Sequence, residues 1–195
     1  MVEKLDNGYT ANDISKLEYP ISIWRRPSMY LGERGTQQSV ATREIIDNAV
    51  HESVRGFADR IRIIFGKDKS VTVQDNGRGL PTDINKKTGV NGIILTMATL
   101  HAGANFSSNI AAGKAGAGVN GVGSSATNAL SKRFDAVVYK GGKVHQLSFQ
   151  DGYSGHFDGD TPEDTFTSSD KIIVSKDTRT AAEKKLFKTG TSIKL

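Results

Sequence analysis

The stretch GANFSSNIAAGKAGAGVNGVG, residues 103 to 123, most constrains how this chain can fold. Glycine and alanine dominate it, so it cannot pack a core by itself. It reads as a mobile loop that leads into a helix opened by Ser124 and Ser125. The patterned segments lie on either side. From Thr36 to Gly56 the pattern is helical, with Ile45, Ile46, Ala49 and Val50 on one stripe and Gly56 as a C-terminal stop. IRIIF (61–65) and SVTVQD (70–75) read as strands joined by a tight connection, hence a hairpin. Val90 to His101 is an apolar helix. Beyond the loop, Ser124 to Ser131 continues as helix. FDAVVYK and KVHQLSFQD alternate around Gly141-Gly142, a strong hairpin signal. Residues 151–169 are polar and read as loop. KIIVS and the terminal TSIKL read as strands around a charged, helical stretch. Upstream, IWRRPSMYLG reads as loop or short helix, and Thr10 to Ser15 as a capped turn. No internal repeat and no alternation of single strands with helices is present. The order points to an α+β sandwich with mostly antiparallel pairing.

The 195 residues suffice for one domain with a real core. At 36% hydrophobic and 24% charged residues the balance is that of a soluble globular chain. No apolar run approaches membrane-spanning length, and MVEKLDNGYT lacks the apolar centre of a secretion signal. With no cysteine, disulfides and thiolate metal sites are excluded, and a cytoplasmic location is the default. The net charge of +5 favours polyanionic partners, either nucleic acid or the phosphates of a nucleotide.

Three constellations carry chemistry. Glu44, Asn48 and Glu52 are spaced i, i+4, i+8, and each step advances about 40° round a helix, so they share a narrow stripe beside the apolar one. Such a stripe is ordinarily a solvated face. Asn48 raises the functional reading, because a neutral oxygen among carboxylates suits Mg²⁺, which takes few protein ligands. Glu44 would polarise a water as general base. His51 is given no metal role. Next, Asp75 ends a strand and is followed by Asn-Gly-Arg-Gly-Leu-Pro. Its carboxylate only accepts hydrogen bonds, which suits a ligand edge offering an exocyclic amine. Gly77 and Gly79 let the backbone approach a flat ring. Arg78 has two uses open to it, stacking on that ring or pairing with an acid such as Glu52. An ordinary turn would look similar. Finally, the glycines before Ser124 offer backbone N–H groups at a helix start, a phosphate cradle, although GVNGVGSS is not a P-loop. Together these are the parts needed to hold a purine nucleoside triphosphate with Mg²⁺.

The motifs RRPSMYLG, REIIDNAVHES, SVTVQDNGRGLP, TLHAGANF, GVNGVGSSATNALS and KTGTSIKL occur in an order and spacing that resemble the ATPase domain of type IIA topoisomerases, the gyrase B and topoisomerase IV E subunits and their phage counterparts. The resemblance covers roughly residues 20–140 and the last few. It implies the Bergerat (GHKL) ATPase sandwich, a mixed, mostly antiparallel sheet with helices on one face, in a single domain over 1–195. Residues 1–19 would be an arm, 103–123 the ATP lid, and 151–187 an insertion, with the transducer and later domains absent. By resemblance, Glu44 is the general base and Asn48 the Mg²⁺ ligand. Asp75 is the adenine-binding acid, with Thr191 in its water network. Gly77, Arg78, Gly79 and Pro81 line the adenine pocket, with Glu52 pairing the arginine. Ile45, Ala49, Val73, Leu80 and Ile193 form its apolar wall. Gly103, Lys114, Gly118, Val119, Asn120, Gly121, Val122 and Gly123 belong to the lid and phosphate loop. The chain departs from the family at Asn105, where a lysine is usual, at Asn120, where a histidine is usual, at Lys140 for a pocket-rim arginine, and in lacking a lid tyrosine near Gly113.

The resemblance further implies ATP and Mg²⁺ as cofactors, homodimerisation on ATP binding, a DNA-cleaving A/C-type partner subunit, DNA strand passage by the full-length enzyme, and inhibition by ATP-competitive gyrase B ligands. No membrane partner is expected. Because the family's second domain supplies a lysine to the γ-phosphate, the fragment is expected to bind ATP and hydrolyse it slowly. Two rivals remain to be weighed. Chaperone, mismatch-repair or histidine-kinase members of the same fold are opposed by RRPSMYLG and TLHAGANF. A non-hydrolysing nucleotide-sensing or DNA-binding module is opposed by the presence of both Glu44 and Asn48.

Overall fold

The hairpin signal at Gly141-Gly142 is realised by two successive left-handed residues, φ +60° and +71°, the geometry of the two-residue turn that matches strand twist. A computed structural model describes residues 17–100 and 121–195. The capped turn near Thr10, most of the expected arm and most of the glycine loop fall outside the described residues. In chain order the elements are α1 (Ile21–Arg25), α2 (Ser28–Leu31), α3 (Gln37–Val54), β1 (Ile61–Phe65), β2 (Val71–Asp75), α4 (Gly92–Ala98), α5 (Gly123–Ala129), β3 (Phe134–Lys140), β4 (Lys143–Gln150), β5 (Tyr153–Phe157), β6 (Phe166–Ser168), β7 (Ile173–Lys176), α6 (Ala181–Leu186) and β8 (Gly190–Lys194).

The strands form one sheet in the order β1-β2-β8-β3-β4-β5-β6, and β7 pairs with the start of β4. Every described pairing of strands is antiparallel. The last strand in sequence therefore sits in the middle, with Ile193 opposite both Val73 and Ala136. Val71 and Val73 of β2, Phe134, Ala136 and Val138 of β3, Leu147 and Phe149 of β4 and Ile193 of β8 alternate onto one face. There they meet Ile45 and Ala49 of α3 and Ile93 and Met97 of α4 in a single buried cluster. Phe134 and Phe149 pack edge to face, centroids 6.0 Å apart. A smaller cluster of Ile23, Leu31, Ala41, Ala126 and Ala129 binds α1 and α2 to α3 and α5. Trp24 fixes it by donating from Nε1 to the Ala129 carbonyl at 2.7 Å.

On the opposite face, Arg179 stacks on Tyr139 and Arg62 on Phe187, so the segment carrying α6 lies against the outer side of the sheet. A capping box between Thr180 and Glu183 starts α6. Two readings are corrected. The polar stretch 151–169, read as loop, forms the β5–β6 hairpin, because its pairing rests on backbone hydrogen bonds that a polar sequence makes as well as an apolar one. The helix read from Val90 begins at Gly92, because the Asn91 side chain accepts from Ile93 N at 2.8 Å and caps it.

Candidate nucleotide site

Helix α3 packs on β2 through Ile45 and Ala49, with Ile46 half-buried, whereas Val50, expected on the same stripe, is exposed because only the part of the stripe facing the sheet is covered. This turns the neighbouring polar stripe toward two other segments. Ile45 and Ala49 are buried, while Glu44 and Glu52 are half-buried and Asn48 exposed. Each stripe residue meets a different partner. Glu44 abuts Gly123, where a Cβ would overlap its carboxylate oxygen. Asn48 donates from Nδ2 to Ser124 Oγ at 2.7 Å. Glu52 pairs with Arg78 through Oε1 at 2.6 Å and Oε2 at 3.1 Å, and also accepts from the Arg78 backbone N–H. The stripe thus joins the start of α5 to the turn after β2.

Asp75 is buried at the end of β2. Its Oδ1 accepts from the backbone N–H of Gly77 at 2.8 Å and of Thr191 at 3.4 Å. Its Oδ2 accepts nothing from any other described residue, so one oxygen is fixed and the other is free. Burial is the main influence on this carboxyl and pushes it above the usual aspartate range; the two N–H groups oppose the shift and Glu52 adds to it. Burial also raises Glu44, helped by Asp47 and opposed by Arg43 and His51. Glu52 moves the other way. Burial alone would raise it, but the hydrogen bonds and charge of Arg78 hold it below the usual glutamate range.

The turn behind Asp75 is set by its surroundings. Gly79 adopts φ +72° against Val138, and a side chain at Gly77 would crowd both Asp75 and Glu52. The Leu80 N–H donates to Thr191 Oγ1 at 3.2 Å, tying the turn to β8. Of the expected apolar wall, Ile45, Ala49, Val73 and Ile193 belong to the core beneath Asp75, with Leu80 packed at its edge. Pro81 and Lys140 are exposed. Gly121, Val122 and Gly123 lead into α5, whereas Gly103, Asn105, Gly113, Lys114, Gly118, Val119 and Asn120 lie outside the described residues.

Several contributors carried no signal in the sequence. Phe57 places its ring 3.7 Å from the Arg78 guanidinium carbon, so one face of Arg78 is already covered by the protein. Gly190, at φ +129°, lets β8 run so close to the Asp75 carbonyl that any Cβ would overlap it. Thr189 donates to the Gly77 carbonyl at 2.8 Å. The contact of Ser124 with Asn48 likewise had no signal in the sequence.

Asn48 is the residue best suited to a divalent cation. Its nitrogen donates to Ser124 Oγ, and no described residue donates to its oxygen. The described residues contain no group of three His, Cys, Asp or Glu side chains that could hold a metal. That donor set fits Mg²⁺ carried by phosphates and water with a single protein ligand, and does not fit a dedicated metal cage. A cleft of about 540 Å³ lies at the other end of the sheet, bordered by Gln38, Thr42, Lys69, Leu130, Lys132 and Leu195. It shares no residue with this site.

Comparison with known proteins identifies the family. The sequence profile of the histidine kinase-, DNA gyrase B- and HSP90-like ATPases matches residues 37–161. The chain is 37% identical over 204 residues to the B subunit of DNA topoisomerase 4 from Mycoplasma capricolum, which covers 96% of this chain and 31% of that protein. It is 40% identical over 153 residues to the B subunit of DNA gyrase from Streptococcus pyogenes, covering 77% of this chain and 23% of the relative. Its fold is similar, with a TM-score of 0.64 at 27% identity, to the 43K ATPase domain of Thermus thermophilus gyrase B in complex with an aminocoumarin, over 89% of this chain and 37% of that one. The antiparallel sheet with α3, α4 and α5 on one face is the architecture that the resemblance implied. The chain spans less than a third of the length of the two relatives matched by sequence.

Proposed function

The chain belongs to the histidine kinase-, DNA gyrase B- and HSP90-like ATPase family, as an ATPase domain of the gyrase B and topoisomerase IV B type, and on that footing we propose how its site binds and cleaves ATP. The observation that carries the proposal is the state of Asp75. One carboxylate oxygen is locked by two backbone N–H groups, and the other has no donor among the described residues. A buried carboxylate oxygen left without a donor is the acceptor that an adenine amine requires. Thr191, with its hydroxyl held against Leu80 N–H, sits beside it to share the ring's water contacts.

At the other end of the α3 stripe, Glu44 acts as general base. Its raised affinity for protons and its place against the start of α5 suit it to take a proton from a water attacking the γ-phosphate. Asn48 supplies the protein oxygen to Mg²⁺, which when bound would neutralise charge on the phosphate oxygens. The backbone N–H groups from Gly121 to Gly123, at the positive end of α5, would receive phosphate.

In the longer protein, ATP binding closes a homodimer and its hydrolysis drives passage of one DNA duplex through another, with an A/C-type subunit cutting the DNA. Support for this rests on the gyrase B and topoisomerase IV B relatives. A role on DNA, as in the gyrase B and topoisomerase IV B relatives, would place the protein in the cytoplasm. ATP-competitive gyrase B ligands would occupy the Asp75 end. By themselves the 195 residues bind ATP and turn it over slowly, since in the family a second domain completes the γ-phosphate contacts.

The test is Glu44→Gln in the full-length protein, with ATP binding and hydrolysis measured side by side. Binding is expected to persist while hydrolysis is lost. Hydrolysis at the wild-type rate would overturn the mechanism.

A further inference from the structure

We propose that Ser124 is a positioning residue for Asn48: its hydroxyl oxygen takes the amide hydrogen of Asn48 and so presents the amide oxygen to the Mg²⁺ of a bound nucleotide. This inference rests on the reading of Asn48 as the Mg²⁺ ligand.

An asparagine amide has two chemically opposite ends of nearly the same shape. Only the oxygen can bind a cation. Asn48 is exposed on α3, so without a partner its amide would rotate freely and offer the wrong end much of the time. The partner that the fold supplies is Ser124, whose Oγ lies 2.7 Å from Nδ2 across 76 residues of sequence.

Ser124 is itself well held. It is the second residue of α5, between Gly123, which packs on Glu44, and the buried Ser125, which donates to the Val122 carbonyl at 3.1 Å. Further along α5, Thr127 donates to the Ala41 carbonyl of α3 at 3.4 Å, and Ala126 and Ala129 are buried against α1 and α2. The hydroxyl is therefore carried on a packed helix start and not on a loose loop. The base and the cation ligand, one turn apart on α3, are both positioned by this one helix start.

A serine hydroxyl can also donate to an amide oxygen if the amide reverses. Cation binding removes that option, because the oxygen is then needed elsewhere. The contribution of Ser124 should therefore show as a change in how much Mg²⁺ improves nucleotide binding, and this separates positioning from simple support of the fold.

The experiment measures affinity of the 195-residue chain for a non-hydrolysable ATP analogue by calorimetry, in excess MgCl₂ and in EDTA, for wild type, Ser124→Ala, Ser124→Thr and Asn48→Ala. The quantity compared is the ratio of the two affinities. Ser124→Ala should lower that ratio about three- to tenfold, the worth of one hydrogen bond, and Ser124→Thr should restore it. If both affinities of Ser124→Ala fall with the ratio preserved, or if the ratio is preserved there but collapses in Asn48→Ala, the positioning role is overturned while Asn48 keeps its place. If Asn48→Ala also keeps the wild-type ratio, the Mg²⁺ assignment itself fails, and the inference with it.

Discussion

Two acid–arginine pairs in this molecule are built alike and serve different ends. Glu52 and Arg78 meet through two hydrogen bonds, with the guanidinium stacked on Phe57. Asp177 and Arg179 do the same, with the guanidinium stacked on Tyr139 at 3.5 Å. The second pair is two residues apart, closed off on the outer face, with the arginine side chain only 14% and the aspartate 7% exposed. Lys184 donates to the Asp177 carbonyl and ties α6 to the same knot. The first pair joins α3 to the turn after β2, and its arginine is 51% exposed. It lies beside Asp75 and two turns along α3 from Glu44, two acids without a cation partner among the described residues, whose protons burial makes harder to remove. One knot stabilises the fold. The other stiffens the proposed site, whose remaining acids are held at a cost to the fold, a pattern expected where binding and chemistry take place.

The sharpest way to break that contrast is Glu44→Gln. Removing a general base costs about 10²–10⁴-fold in rate. A raised folded-state pKa means that ionising Glu44 disfavours the fold; the penalty is absent below its unfolded value and complete above its raised one. Near neutral pH the glutamine variant should therefore melt higher than wild type without nucleotide. A lower melting temperature would place Glu44 with the structural acids instead.

Asp177→Asn tests the other side. Losing the charge from a hydrogen-bonded pair costs about 1.5–3 kcal/mol of stability, read by denaturant unfolding, and ATP affinity should stay at the wild-type value. Arg179 holds the Asp177 carboxyl down to about 2. The sign is opposite to that of Glu44. The stabilisation is fully present above the unfolded aspartate value near ~4 and is lost as pH falls toward about 2, so the variant should have a shallower acid limb. A variant that bound ATP several-fold more weakly would couple the two knots.

Asp75→Asn should divide stability from function in a single residue. The asparagine oxygen still accepts from Gly77 and Thr191, but the free acceptor toward adenine is lost, weakening adenine nucleotides by about 1–3 kcal/mol. Because its pKa is raised, the apo protein should gain stability, most clearly above the raised value. Unchanged nucleotide affinity would refute the adenine assignment.

What the sequence revealed follows from the reach of local pattern. The α3 stripe was legible because a helix repeats every few residues, and the β3–β4 turn because two glycines in a row have few other uses. The β5–β6 hairpin was not, since Ser154, Gly155, His156 and Thr167 give no alternation to read. Nor was the role of Gly190, whose requirement comes from Asp75, far earlier in the chain, once β8 inserts beside β2. The expected roles of Glu44, Asn48 and Asp75 came from residue chemistry first and family resemblance second, but Phe57 and Ser124 emerged only when α3 and its neighbours were packed together.

The smallest expected effect bears most directly on the contrast between the two knots. Phe57 is itself 47% exposed and covers one face of Arg78, as Tyr139 covers Arg179. A cation–π contact at an exposed position is worth about 0.5–1 kcal/mol. Glu52 fixes the edge of the guanidinium and Phe57 one face, so on the proposed reading the opposite face is the one an adenine ring would meet. Phe57→Ala should lower ATP affinity about two- to fivefold, with Phe57→Tyr close to wild type, while global stability moves little because Glu52 still holds the arginine. If Phe57→Ala instead lowered stability and left ATP affinity intact, the Glu52–Arg78–Phe57 stack would be a second structural knot, equivalent in kind to the one on the outer face.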